Sequence, residues 1–150
     1  MCAIDVEISA WKICRELRDA SVQLGTRRLK MLVQIAPSEM MRVFESRIAA
    51  GGARGHHLVV CGLQFAQIPL RAALAVYFYQ TLAAFCSAAL KLIRIGQEGC
   101  QRLLYGCLTN AEHAIDRSLE VKCEETGWFN PLLEIASMRH ERAFERLFIS

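Results

Sequence analysis

The stretch AALAVYFYQTLAAFCSAAL, Ala72–Leu90, decides the fold class, because its 19 residues carry no charge and lie between Arg71 and Lys91. A helix of this length reaches across a bilayer, so the stretch predicts either a helix buried on all sides or a membrane span. Three polar side chains interrupt it, at Gln80, Thr81 and Ser87. Its alanine-rich, leucine-poor composition also inserts weakly. We therefore expect a buried helix, and a helical membrane protein built around Ala72–Leu90 is the alternative.

Outward from this stretch, apolar residues recur at helical spacing, and no segment alternates between apolar and polar residues as a half-buried strand does. Gly51–Gly55 (GGARG) is the clearest loop. Thr109 and Glu112 fit a capping box at the start of a new helix. The predicted helices are Ile4–Val33 with a kink or break at Gly25, Ser38–Ala49, His57–Gln67, a central helix from Pro69 to about Ile93, Gly96–Leu108, Asn110–Lys122 and Asn130–Ser150. The pattern predicts an all-α protein, a compact multi-helix bundle forming a single domain over residues 1–150.

Composition narrows the class of protein. Hydrophobic residues make up 53% of the chain and the mean hydropathy is +0.22, which indicates a large core, an exposed apolar interface, or both. The net charge of +3 excludes the strongly basic surface that nucleic-acid binding needs. Seven cysteines, an odd number without a Cys-x-x-Cys motif, favour reduced cytosolic thiols that serve mostly as small buried hydrophobes.

The C-terminal segment NPLLEIASMRHERAFERLFIS, Asn130–Ser150, opens with Asn130 as N-cap and Pro131 at the first helical position. An apolar stripe comes next at three- and four-residue spacing, formed by Leu133, Ala136, His140, Phe144, Leu147 and Phe148. The pattern allows two interpretations. The segment packs through this stripe on its own core, or it docks on another protein.

The sequence contains few candidates for catalytic or metal-binding residues. His57 and Cys61 lie one helical turn apart, and with His56 they are weak candidates for nickel or zinc ligands. The glycines of Gly51–Gly55 lack the Gly-Lys-Ser/Thr ending of a phosphate-binding loop. No motif singles out a nucleophile or a carboxylate pair, so we expect no enzyme, although a cytosolic thiol- or metal-binding helical protein is a further alternative.

Two motifs together resemble the urease accessory family UreF. The first is Gly96-Gln97 with Gln101-Arg102-Leu103-Leu104, after the long apolar helix. The second is the ending Arg139-His140-Glu141 with Arg146-Leu147-Phe148-Ile149-Ser150. The resemblance runs over most of the chain, and it implies that a further N-terminal helical portion of the family is absent here.

The resemblance implies an all-α, non-enzymatic, cytoplasmic chaperone that forms a homodimer within a larger complex. Such a protein is a scaffold between a UreD/UreH-type accessory protein and the GTPase UreG, and it serves nickel insertion into apo-urease. Nickel is then transferred cargo, with no resident cofactor, no nucleic acid and no membrane. The residues expected to bind partners are Arg139, His140, Arg146, Leu147, Phe148, Ser150, Tyr79 and Gln97.

Overall fold

The computed structural model of the chain describes residues 1–127 and 130–141. Within these ranges every regular element is helical and no strand occurs, which confirms the all-α prediction. The elements are α1 (Cys2–Trp11), α2 (Arg15–Ile35), α3 (Glu39–Ala49), α4 (His57–Gln64), α5 (Leu70–Leu92), α6 (Gln97–Leu108), α7 (Ala111–Glu120), a 3-10 turn (Cys123–Glu125) and α8 (Pro131–Glu141).

The chain divides into two compact units. Unit 1 comprises Met1–Ala66 with Gly127–Ser150, and unit 2 comprises Gln67–Thr126. The core of unit 1 is built by α1, α2, α3 and α4, whose buried apolar residues are Ile8, Leu29, Leu32, Met41, Phe44, Val59, Val60 and Leu63. That the whole chain acts as a single domain stays a prediction.

Helix starts agree with the sequence signals in two places and depart from them in a third. The Ser38 hydroxyl accepts a hydrogen bond from the Met41 N–H, and the Asn130 Oδ1 accepts one from the Leu133 N–H at 3.1 Å, so Asn130 is the predicted N-cap. The prediction of a capping box at Thr109 was wrong. Its hydroxyl donates instead to the Gly106 carbonyl at 2.7 Å, and α7 begins after Asn110.

The predicted helix Ile4–Val33 is in fact two helices, because residues 12–14 separate α1 from α2. Gly25 is neither a kink nor a break: it lies in the middle of α2. A side chain there would have its Cβ 2.1 Å from the Gly55 carbonyl oxygen and 2.6 Å from the His57 backbone nitrogen. Glycine is therefore required where α2 touches the backbone before α4.

That backbone is held by the buried carboxylate of Asp5. Its oxygens accept hydrogen bonds from three consecutive N–H groups, at 2.6 Å from Arg54, 3.2 Å from Gly55 and 2.8 Å from His56. Gly55 has φ +86°, a left-handed conformation that favours glycine. The carboxylate thus fixes the end of the glycine-rich loop against α1 and α2.

Unit 2 contradicts the prediction that the central helix is buried on all sides. No residue of α5 is buried, and the buried apolar residues of the unit are Cys100, Leu104 and Ile115 on α6 and α7. The reason is geometric, because two helices of 12 and 10 residues cover one side of a 23-residue helix. By length and composition alone, α5 is a candidate membrane span.

We expect Gly25→Ala to lower the free energy of unfolding by about 2–4 kcal/mol, since the added methyl group collides with backbone that cannot rotate away. Urea unfolding monitored by circular dichroism measures this change.

Gly62→Ala in α4 is the matched control, because nothing lies within 4 Å of the Cβ it would add. This variant should be stabilised by about 0.5–1 kcal/mol. Equal stability of the two variants would contradict the close contact at Gly25.

Candidate partner-docking surface

The helix α8 packs on the first turn of α2 through a polar face. Glu134 and Ser137 are each 4% exposed, and His140, three residues further along, is half-buried. This spacing places the three side chains on one side of the helix. Buried polar groups require partners, and the start of α2 supplies them.

Glu134 contacts the N-terminus of α2. Its Oε2 accepts a hydrogen bond from the Cys14 N–H at 2.8 Å, and Cys14 is the N-cap residue of α2. A negative charge at this end of a helix is stabilised by the helix dipole. The other carboxylate oxygen, Oε1, is buried and has no hydrogen-bond partner among the described residues. Nearby, burial lowers the pKa of the Lys12 amine, and the charge of Glu134 opposes that shift.

A chain of hydrogen bonds extends this contact along α8. The Cys14 thiol donates to the Ser137 hydroxyl at 3.2 Å, and that hydroxyl donates to the Glu16 Oε2 at 3.4 Å. The Glu16 Oε1 lies 2.8 Å from the His140 Nδ1. Three positions of α8 are thus tied to two residues at the start of α2, which fixes the rotation of α8 about its axis.

Of the two interpretations of the C-terminal segment, packing on its own core through the apolar stripe does not hold for the described part of that stripe, and docking on another protein stays a prediction. Within the described part of that stripe, Leu133 and Ala136 are exposed, and His140 turns to Glu16. The physical reason is that α8 meets a backbone N–H, a thiol and a carboxylate rather than an apolar surface. A different apolar face is open to solvent, formed by Leu132 (81% exposed), Ile135 (48%) and Met138 (46%).

The residues expected to bind partners fall in different parts of the chain. Arg139 on α8 is exposed beside the apolar face, whereas His140 belongs to the network with Glu16. Tyr79 on α5 is 51% exposed, and Gln97, also exposed, is the first residue of α6. The others lie outside the described residues: Arg146, Leu147, Phe148 and Ser150.

Sequence reasoning missed Glu134, Ser137 and Leu132. The signal for the first two was present, because Glu134, Ser137 and His140 recur every three residues. That spacing does not by itself predict a buried face, because polar residues on one side of a helix usually face solvent.

The candidate metal ligands separate into two groups. His56 is fully buried, with its Nε2 2.6 Å from the Ser9 hydroxyl and its Nδ1 3.1 Å from the Ser21 hydroxyl. The His57 Nε2 lies 3.4 Å from the Cys61 sulfur, so these two do share one side of α4. Burial lowers the pKa of both imidazoles, which favours their neutral forms.

His56 therefore has its ring nitrogens on hydroxyl groups away from the His57–Cys61 pair. In residues 1–127 and 130–141, no group of three or more His, Cys, Asp or Glu side chains is placed to hold a metal ion. Of the seven cysteines, Cys14, Cys61 and Cys100 are buried, so the expectation that most are buried was wrong.

The described residues are all-helical and leave an apolar helix face open to solvent, a feature that marks proteins that bind other proteins. The sequence model of the UreF family matches residues 1–108, which include α1 to α6. The chain therefore belongs to the UreF family of urease accessory proteins.

Relatives support this assignment over nearly the whole chain. It is 31% identical to the urease accessory protein UreF of Arthrobacter sp. (strain FB24) and 32% identical to that of Paenarthrobacter aurescens (strain TC1). The urease accessory protein UreF of Bacillus sp. (strain TB-90) is 29% identical. Each similarity covers 98% of this chain and 66–67% of the relative. The chain thus spans about two thirds of the length of these relatives.

Proposed function

We propose that this protein is a non-enzymatic chaperone in the maturation of urease, required for insertion of nickel into the metallocentre. In this proposal it is a scaffold that joins a UreD/UreH-type accessory protein to a UreG-type GTPase. It forms a homodimer, and the complex assembles with apo-urease in the cytoplasm. Membership of the UreF family supports this role. The observation that carries it is the orientation of α8, whose polar face is held by α2 while its apolar face is free.

The face formed by Leu132, Ile135 and Met138 is the surface that we assign to the UreD/UreH-type partner. Covering an exposed apolar side chain contributes about 1.5–3 kcal/mol for a residue such as leucine or isoleucine. Arg139 borders this face and supplies a charged donor at its rim, where arginine is a frequent contact residue. Rotation of α8 about its own axis would bury this surface. The hydrogen bonds on the polar side prevent that rotation and so keep the surface accessible.

Nickel is cargo in this proposal and not a resident ion. The pair His57 and Cys61 supplies two ligands, whereas protein metal sites commonly take about four. The GTP and its magnesium ion are assigned to the UreG-type partner, because the loop Gly51–Gly55 lacks a phosphate-binding motif.

A membrane location for α5 is the competing proposal, and the contacts of α5 argue against it. Arg71, at the start of α5, lies 2.5 Å from Asp116 and 3.4 Å from Glu112 on α7. The helix packed beside α5 thus carries charged side chains, which are costly within a bilayer. We therefore propose that the exposed side of α5, which includes Tyr79 and Phe85, is covered by protein in the assembled complex.

Leu132→Asp tests the proposed docking face. We expect this variant to weaken retention of a UreD/UreH-type partner by about tenfold or more, because a carboxylate replaces the most exposed apolar side chain of the face. Folding should be preserved, since Leu132 is 81% exposed and lies in the first helical turn, where aspartate is favoured. Co-purification with the tagged partner, and then titration, measures the loss.

Ile4→Asp is the matched control, because Ile4 is 53% exposed and lies in the first turn of α1. It should bind the partner as the unchanged chain does. Equal retention of the unchanged chain and Leu132→Asp would overturn the assignment of this face. A complete lack of partner binding by the folded, unchanged chain would overturn the proposed function.

A nickel titration tests the cargo assignment. We expect weak Ni²⁺ binding by isothermal titration calorimetry, unchanged in His57→Ala, because the two ligands of the pair do not make a closed site. His113→Ala, which alters an exposed histidine on α7, is the matched control. Tight stoichiometric binding that His57→Ala alone abolishes would make nickel a resident ion.

A further inference from the structure

Two thiols meet where α5 packs on α6. The Cys86 sulfur on α5 lies 3.7 Å from the Cys100 carbonyl oxygen, and the Cys100 sulfur on α6 lies 3.5 Å from the Cys86 carbonyl oxygen. Each thiol therefore points at the backbone of the other residue. Such reciprocal contact places the two residues within reach of one covalent bridge.

The two thiols differ in exposure. Cys100 is 2% exposed, whereas Cys86 is half-buried and so accessible to a small reagent. Burial, and then the charge and hydrogen bond of Cys86, raise the pKa of the Cys100 thiol. Since the thiolate is the reactive form, Cys86 is the first to be oxidised and Cys100 is the thiol that attacks next.

Other buried thiols have different neighbours. Cys14 donates to the Ser137 hydroxyl, and Cys61 lies beside the His57 imidazole. Cys100, in contrast, is a buried thiol that meets a second cysteine.

We propose that Cys86 and Cys100 are a redox modification site, at which a small peroxide converts the two thiols into a disulfide that joins α5 to α6. The Cys86 thiolate attacks one peroxide oxygen, which breaks the O–O bond and leaves a sulfenic acid. The Cys100 sulfur then displaces the sulfenic oxygen as water and loses its proton. In total two thiols and one hydrogen peroxide give one disulfide and two water molecules.

The bridge would close a loop of residues 87–99, which contains the turn between α5 and α6 and the exposed Gln97. A cross-link of this size restricts the unfolded chain and resists separation of the two helices. Oxidation would thereby fix the shape of the exposed apolar side of unit 2. This inference does not depend on the proposed function, because it concerns thiol chemistry within one chain.

Treatment of the full reduced chain with a small excess of hydrogen peroxide tests the site. The denatured product should keep about five of its seven thiols, and digestion without reductant should yield a peptide pair joined through Cys86 and Cys100. The midpoint of thermal unfolding should rise by about 5–10 °C.

Cys86→Ser should lose both the cross-link and the shift, while Cys107→Ser, at an exposed position on α6, should keep them. Oxidation of Cys86 in the unchanged chain to sulfinic acid, with Cys100 still reduced, would overturn the proposal. Cross-linking of Cys100 to another cysteine would do the same. Both readouts come from the unchanged chain, so they decide the question even where a variant does not fold.

Discussion

A buried carboxylate, that of Asp5, joins the segments of unit 1 on which the rest of the unit is built. It accepts three backbone hydrogen bonds from residues 54–56, and such charge-assisted bonds are among the stronger ones in proteins. The same segment touches α2 at Gly25, and its His56 imidazole lies between Ser9 and Ser21 on α1 and α2. These contacts fix α2 relative to α1 and α4. They thereby fix the first turn of α2, which is where α8 is held.

Glu134 repeats this use of a carboxylate at the start of α2. Polar contacts in a buried site have strict geometry, so they orient α8 more narrowly than apolar packing would. This arrangement has a cost, because the Oε1 of Glu134 is buried without a hydrogen-bond partner in the part of the chain that the structure describes. Because its polar side is engaged in this way, the apolar side chains of α8 are exposed, and they form the surface that we propose for the partner. This division of faces explains how a chain with 53% hydrophobic residues leaves Leu132 largely exposed.

Local signals in the sequence predicted local structure well. Asn130 and Pro131 marked the start of α8, helical spacing identified the all-α class, and the motif at Gly96-Gln97 pointed to the urease accessory family. Contacts between segments distant in sequence could not be predicted from the sequence. Gly25 was interpreted as a kink because its neighbour in space, Gly55, lies thirty residues away in sequence. The burial of α5 was overestimated, since hydropathy does not reveal how many helices cover a segment. The polar face through which α8 packs could not be predicted, because apolar periodicity says nothing about the chemistry of the surface that a helix meets.

The central claim is that polar contacts with α2 hold α8 and so present its apolar face. Hydrogen exchange of residues 131–141, in the unchanged chain and in Glu134→Ala, tests it most directly. We expect exchange in α8 to accelerate about ten- to hundredfold, corresponding to about 1–3 kcal/mol, while the core of α2 to α4 keeps its protection. Met138→Ala, on the exposed face, should leave exchange unchanged. Equal protection of α8 in the unchanged chain and in Glu134→Ala would contradict the claim.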